Sequence, residues 1–389
     1  MTNNHSRDSL LKGFTFSYFM TTAVIVSYFP LYFDYKGYSK IQIGMLYSIG
    51  PMIGIVANLF WGILSDKFQT VKKILIAMMI GQLCTAFFAF QTDWFALLYL
   101  LMAAFFFFFQ PVASLNDSQL MLSVSRSGKS FASYRVWGSI GFALSACCFG
   151  WLFSKTGSGW TPAVCLSLIV LSLLIAFRLK DVRGGHKKVE LGGIVKIIGS
   201  RKFLWFLFLI MVMSMANRIN DGFLALFLRK LGASDTIVGY SWTMAAISEI
   251  PVFFLLSKYG HRYKELALLT VAGFVFTLRF LLMSIVQDPI WVVFIQMMHS
   301  LSFGIFLFTA IRYISQVIPD EYRSSGQAIF AVVYSSLAGL ASGTLGGWLF
   351  DVWGSGVLYL CAALMAFLSA IGFLATHLLQ KDDVLLDRT

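Results

Sequence analysis

The chain has 389 residues, 58% of them hydrophobic and only 12% charged, with a mean hydropathy of +0.77. That balance excludes a soluble chain of two or three domains and describes an integral membrane protein. A net charge of +12 could suggest a nucleic-acid partner, but the basic residues fall in short clusters between apolar runs, where membrane loops need them.

Apolar runs bounded by charges or turn residues number twelve, over 11–33, 41–65, 71–91, 93–122, 136–154, 161–178, 203–226, 238–257, 265–286, 290–317, 327–350 and 357–379. They lack period-two alternation, and only helices or closed barrels satisfy the backbone in lipid, so an all-α membrane fold of twelve helices is expected. The first run, Gly13 to Phe33, is long enough to span and lacks a small-residue cleavage pattern, so it reads as a span and not as a signal peptide. With the N-terminus inside, the inner segments hold twenty-two lysines and arginines and the outer segments five. This asymmetry places both termini in the cytoplasm of a multi-pass protein of the bacterial cytoplasmic membrane.

The longest polar interval, Lys180 to Lys202, divides the runs six and six and contains a short Leu191–Ile198 segment that could lie on the membrane surface. The expected organisation is therefore a six-helix half over 1–178, a cytoplasmic linker over 179–201 and a second half with a short tail over 202–389. A repeat supports the division. Gly150-Trp151-Leu152-Phe153 followed by Gly157-Ser158-Gly159 matches Gly347-Trp348-Leu349-Phe350 followed by Gly354-Ser355-Gly356, at an offset of 197. Leu64-Ser65 and Leu256-Ser257 match at an offset of 192. Six spans per half give the two repeats the same orientation, related by an axis along the membrane normal.

Charges at membrane depth are few and expensive, roughly 2.5 to 3.5 kcal/mol each on insertion scales, so they mark candidate sites. Asp117 follows a run from Leu98 to Leu115 with five consecutive phenylalanines at 105 to 109, and Arg135 stands at the mouth of the next run. Either the two pair as part of a site, or Arg135 caps the cytoplasmic loop and Asp117 bonds Asn116 or Ser118 as packing glue. Helix seven carries Asn217-Arg218-Ile219-Asn220-Asp221, in which Arg218 and Asp221 share a face; the pair is a site element or a packing device. Glu249 lies beside Pro251, which frees a backbone carbonyl, and is a protonation candidate. His299 is a site residue or an ordinary hydrogen-bonded helix histidine. Arg312 lies near the inner end of helix ten, where it can snorkel to the interface.

The loop after helix two reads Gly62-Ile63-Leu64-Ser65-Asp66-Lys67-Phe68-Gln69-Thr70-Val71-Lys72-Lys73. It resembles the signature of the major facilitator superfamily, a Gly-x-x-x-Asp-(Arg/Lys)-x-Gly pattern followed by basic residues, with Gln69 in place of the last glycine. The resemblance implies an alternating-access gate built on Gly62, Asp66 and Lys67. In the residues themselves, Gly62 permits close helix approach and Asp66 can accept from a neighbouring helix N-terminus. The second-half counterpart, Ser257-Lys258-Tyr259-Gly260-His261-Arg262, lacks the acid. Tyr28-Phe29-Pro30, the Asp117 to Arg135 spacing, Gly138, Gly141, Arg279, His299 and Arg312-Tyr313-Ile314 follow the order of the lactose permease and phenylpropionate permease branch. That resemblance implies that Asp117 and Arg135 hold substrate, that Phe142 stands where a tryptophan stacks on the sugar, and that Arg279 and His299 lie near the proton site. Ser302 occupies the place of the acid that follows the histidine in lactose permease.

The expected function is secondary active transport, a proton symport of a small organic solute driven by the proton gradient without a cofactor. Substrate would meet Asp117, Arg135, Phe142, Arg218, Arg279 and His299, and Asp221, Glu249 or Asp117 would take the proton. Counting Arg135, Arg218, Arg279 and Arg312 against Asp117, Asp221 and Glu249 leaves one arginine for an anionic group, so an aromatic or other small carboxylate is expected ahead of a sugar or nucleoside. The same resemblance disfavours multidrug efflux, because the helix-five Gly-Pro pair of the antiporter branch is absent from Gly138 to Phe153. A membrane sensor or lipid-handling enzyme is disfavoured because no catalytic constellation is present. Gly128-Lys129-Ser130 lacks the earlier glycine of a phosphate loop, Ser123 standing there, which disfavours ATP-driven transport. The five cysteines lie in apolar runs without metal-ligand spacing, and no metal site, disulfide or nucleic-acid partner is expected. The remaining expected partners are the small-molecule substrate, protons and lipid, with the chain acting as a monomer.

Overall fold

The computed structural model describes residues 2–127, 132–181, 201–318 and 323–379, all helical apart from short turns, with no strand among the described residues. The elements are α1 (Thr2–Tyr35), α2 (Lys40–Phe68), α3 (Val71–Gln91), α4 (Phe95–Ser127), α5 (Ala132–Thr156), α6 (Thr161–Arg178), α7 (Arg201–Lys230), α8 (Asp235–Tyr259) and α9 (Glu265–Ile285). Three more complete the described chain: α10 over 289–317, α11 over 323–353 and α12 over 355–379. The last two form one apolar stretch of 51 residues from Ile329 to Leu379, more than twice the roughly 20 residues that cross a bilayer. The stretch breaks at Gly354, whose φ of 83° is left-handed. Twelve spans therefore result among the described residues, as the apolar runs indicate.

The helices form two groups, α1–α6 and α7–α12, each packed mainly on itself. The first helix of each group, α1 and α7, is its most enclosed. That position suits the polar residues of α1: Thr15 bonds Asn116 at 3.0 Å, and Ser172 donates to Ser17 at 3.0 Å, both away from lipid. Outer helices present Ile80, Phe87, Phe88, Leu174 and Phe177 outward, the apolar exposure that a bilayer requires.

Two seams join the groups, α2 against α11 and α5 against α8. Both depend on glycines. A Cβ added to Gly44 would sit 2.2 Å from the Gly343 carbonyl oxygen, and one added to Gly239 would sit 2.2 Å from the Ala146 oxygen. The repeated Gly-Trp-Leu-Phe motif performs the same task twice. Gly150 crosses the backbone of Asp235 and Gly347 crosses that of Lys40, each with 2.7 Å to a would-be Cβ, and the glycine seven residues on is left-handed in both copies, Gly157 at 85° and Gly354 at 83°.

Hydrogen bonds tie the groups together between mid-depth and the face opposite the termini. Ser48 bonds the Leu340 carbonyl at 3.2 Å, Thr243 bonds that of Ala143 at 3.0 Å, and the Asp351 carboxylate accepts from the first backbone N–H groups of α2, Ile41 at 2.9 Å and Lys40 at 3.3 Å. On the terminal face, ties within a group include Tyr134 donating to Asp8 at 2.8 Å and Thr70 donating to Asp181 at 2.5 Å. The far face is thus closed.

Three local features differ from the sequence reading. Asp181, at the end of α6, holds the N-terminus of α3 by accepting from Lys72 at 3.1 Å, the task foreseen for Asp66; the Asp66 side chain lies outside the described residues. Gly62 faces open space in this conformation, with nothing within 4 Å of an added Cβ, so it is not a close-approach point here, and Lys67 is exposed. Gln69 takes φ 49°, the one left-handed non-glycine among the described residues, at the position where the superfamily pattern has glycine. The linker segment Leu191–Ile198 and Gly128-Lys129-Ser130 lie outside the described residues.

Candidate functional site

Where the two groups face each other at mid-depth they enclose a cavity of about 350 Å³, at the low end of the roughly 300 to 1,000 Å³ of small-molecule pockets. Its wall takes Thr22 from α1, Tyr47 from α2, Phe106, Phe109 and Gln110 from α4, Phe142 from α5, Asn217, Arg218 and Asp221 from α7, Trp242 from α8, His299 and Phe303 from α10, and Tyr334 and Ser342 from α11. A second cavity of about 150 Å³ lies beside it, lined by Phe19, Arg135, Ser139, Phe142, Trp242, Ala245, Ala246, Glu249 and His299. Phe142, Trp242 and His299 belong to both walls and form the partition between them. Phe142 meets Trp242 edge-on, with centroids 6.1 Å apart.

Each membrane-depth charge of the sequence has a definite partner. Asp117 and Arg135 approach to 3.8 Å, and the Arg135 guanidinium lies 4.2 Å from the Phe19 ring centroid. Asp117 lines neither cavity; Arg135 lines the smaller one. Arg218 reaches Asp221 at 3.4 Å and Ser335 at 3.4 Å and lies over Tyr334, while Asn217 donates to the same Asp221 oxygen at 3.2 Å. These residues sit on the wall of the larger cavity.

The third set is the most enclosed. Arg279 is fully buried, with 0% exposure. It donates to Gln296 at 2.5 Å, to Ser302 at 3.5 Å and to the His299 Nδ1 position at 3.0 Å. An arginine can only donate, so Nδ1 of His299 must be the acceptor and the ring proton sits on Nε2, a tautomer assigned by the network. Nε2 points at Glu249, 3.2 Å away. Gln296 continues the chain to Asn220 at 3.4 Å, which also accepts from Tyr359 at 3.4 Å. The helix geometry that makes this possible is irregular: α10 leaves α-helical pairing after Gln296 and runs as a π-helix over Ser300–Gly304. A second π segment, Val332–Leu337 in α11, presents Tyr334 and Ser335 to Arg218. Such segments accompany functional sites.

Arg312 does not belong to this set. It pairs with Glu265 at 2.8 Å and bonds the Tyr263 carbonyl at 2.7 Å, both on the terminal face. The charges around the cavities are therefore three arginines and three acids, and the spare arginine counted from sequence is already neutralised.

The structure brings Phe142, Arg218, Asp221 and His299 to the larger cavity and Arg135, Phe142, Glu249 and His299 to the smaller one, with Arg279 behind His299. It adds Trp242, Gln296, Tyr334 and Tyr359, which the sequence reading did not single out. Gln296 carried a signal, a polar residue three positions before His299 in an apolar run. Tyr334 and Trp242 carried none, because an aromatic residue in a membrane helix is ordinary until its neighbours are known.

Two bundles of membrane helices around a shared mid-depth cavity are the arrangement of a secondary transporter. The chain belongs to the MFS_1 like family, whose model matches residues 9–361. It is 25% identical to a maltose permease of Geobacillus stearothermophilus, over 95% of this chain and 94% of that one. It is 24% identical to a probable 3-phenylpropionic acid transporter of Escherichia coli (strain K12), over 89% and 92%. Its fold matches the crystal structure of the nucleoside transporter NupG with a TM-score of 0.84 and 18% identity, covering 95% of this chain and 98% of that one. The protein is a multi-pass membrane transporter of the major facilitator type.

Proposed function

We propose that the chain is a proton-coupled symporter of a small neutral, ring-bearing solute, a nucleoside or a sugar, with both termini in the cytoplasm of a bacterial cytoplasmic membrane. The observation that carries the substrate class is the charge balance: Arg135 answers Asp117, Arg218 answers Asp221, and Arg279 reaches Glu249 through His299. An anionic solute would upset that balance, whereas a neutral one needs ring faces and hydrogen-bonding groups. Phe106, Phe109, Phe142, Trp242 and Tyr334 supply the former, and Asn217, Gln110 and Ser342 the latter. This reading moves the preference from an aromatic carboxylate to the nucleoside or sugar class. The names of the maltose and nucleoside transporters among the similar proteins agree with it.

The lysines and arginines, twenty-two on the terminal face against five on the other, support cytoplasmic termini. On that orientation the closed seams face outward, and transport consists of rocking 1–178 against 202–379 about the cavity, with 179–201 as the tether. The proton site is Glu249: His299 Nε2–H steadies the carboxylate in this state, and protonation of the carboxylate removes the charge that holds it there.

A second reading keeps the aromatic carboxylate. Arg218 touches Asp221 only at 3.4 Å, and its Nε has no hydrogen-bond partner, so an incoming carboxylate could take it over. Thermal-shift screening of the detergent-purified protein against uridine, glucose, maltose and 3-phenylpropionate separates the two. A bound solute at a hundredfold over its Kd adds about 2.7 kcal/mol of apparent stability. Stabilisation by neutral solutes is expected; stabilisation by 3-phenylpropionate alone would overturn the substrate class.

A further inference from the structure

Three hydroxyls on the wall of the larger cavity have already given away their only proton. Thr22 of α1 donates to the Tyr18 carbonyl at 3.1 Å, Ser342 of α11 to that of Gly339 at 3.2 Å, and Tyr47 of α2 to those of Ile25 and Val26 at 2.6 and 3.2 Å. The Tyr47 bond is the one that cannot be traded. A helix carbonyl is normally taken by the N–H four residues on, and for Val26 that residue is Pro30, which has none. Turning the phenol toward solute would leave this carbonyl bare inside the bundle. A hydroxyl has one proton and two lone pairs, so Tyr47 meets the cavity as an acceptor, polarised further by the bond it donates. Asp221 accepts as well. It precedes Gly222, where an added Cβ would lie 3.9 Å from the Tyr47 ring, and its bonds from Arg218 and Asn217 both fall on Oδ2.

We infer that this side of the cavity recognises solute by accepting hydrogen bonds from it: the solute's hydroxyl or N–H groups donate to Tyr47 and Asp221, and Tyr47 is a specificity-determining residue. The inference rests on the larger cavity being the solute site, and it narrows the neutral, ring-bearing class to members with donors on the ring. An ionised aryl carboxylate has no such donor. A ring of the same shape with its hydroxyls replaced by groups that only accept would set one acceptor against another, and the site would reject it. The donors of the wall serve other partners or stand elsewhere. Arg218 directs Nη1 and Nη2 to Asp221 and Ser335, and the unpartnered Trp242 Nε1 belongs to α8, at the other seam. Gln110 and Tyr334 can serve in either sense.

The test takes whichever of uridine, glucose and maltose stabilises the purified protein, together with its deoxy and deoxyfluoro analogues, one hydroxyl altered at a time. Fluorine keeps much of the size and electronegativity of the hydroxyl and removes its proton. By calorimetric titration, Kd should rise about tenfold or more for both analogues at the ring positions that face Tyr47 and Asp221. In Tyr47→Phe, parent and analogue affinities should converge at one of those positions, as a double-mutant cycle requires of a direct bond. A merely structural phenol would weaken parent and analogues alike, and that result would overturn the assignment to Tyr47. Fluoro analogues that bind like the parent where deoxy analogues do not would overturn the sense of bonding. The wild-type series decides that sense by itself, so the inference stays exposed even if Tyr47→Phe does not fold. Binding of a neutral parent with an indifferent analogue series would overturn this inference alone; binding of no neutral solute would overturn the substrate class and the inference together.

Discussion

In the first six helices the membrane-depth charges, Asp117 and Arg135, meet at 3.8 Å with 42% and 36% of their side chains exposed. In the last six, Arg279 is wholly buried and its guanidinium is bonded to Gln296, His299 and Ser302. Partly exposed and too far apart for a hydrogen bond, such a pair contributes little, roughly 0 to 1 kcal/mol. A buried guanidinium differs, since every lost partner leaves an unsatisfied charge-bearing donor. The two halves therefore divide the work: the second holds a rigid network that fixes the His299 tautomer and aims it at Glu249, and the first supplies a loose pair that can part as the halves rock.

Substitutions should separate these regions sharply. Arg279→Ala strands Gln296 and His299 and is expected to cost about 3 kcal/mol of apparent stability and to abolish uptake; a melting curve like wild type would show the network to be ornamental. Next in size is the closed seam. Gly239→Leu places a side chain against the Ala146 carbonyl, where even a Cβ comes within 2.2 Å. It should lower uptake about tenfold or more while solute binding persists, because the far face cannot close. Raised labelling of a Ser342→Cys thiol by an impermeant reagent added from the far face checks the cause. The smallest effect is expected at Asp117→Asn, under about 1 kcal/mol in stability, with uptake reduced far less than by Arg279→Ala. Equal loss of uptake from the two variants would erase the contrast between the halves.

The fold was almost fully legible because lipid simplifies the problem. Twelve apolar runs can only be helices, and the Gly-Trp-Leu-Phe repeat marked both seams, although what it does there, a glycine crossing followed by a left-handed turn at Gly157 and Gly354, required the packing to be seen. The site was legible as a set of expensive residues and illegible as a set of pairs. Arg312 was legible as a residue near the inner end of its run that can snorkel, yet the charge count included it with Arg279 and therefore pointed to an anionic solute; the structure turns Arg279 inward to His299 and Arg312 to Glu265 on the terminal face. The π segments at Ser300–Gly304 and Val332–Leu337 were equally invisible, since they arise from how α10 and α11 accommodate the cavity and not from any breaker residue. Gln69 was visible as a departure from the superfamily pattern; its φ of 49° shows why the pattern has glycine.

The claim that the rest depends on is that Glu249, 3.2 Å from His299, couples the proton to transport. Glu249→Gln keeps the shape and a hydrogen-bonding group beside His299 but cannot take up or release the proton. In proteoliposomes under an imposed proton gradient, with the solute identified by thermal shift, the variant should exchange solute across the membrane at near the wild-type rate and fail to accumulate it, with uphill uptake down about tenfold or more. Accumulation at the wild-type level, with proton movement intact, would contradict the account.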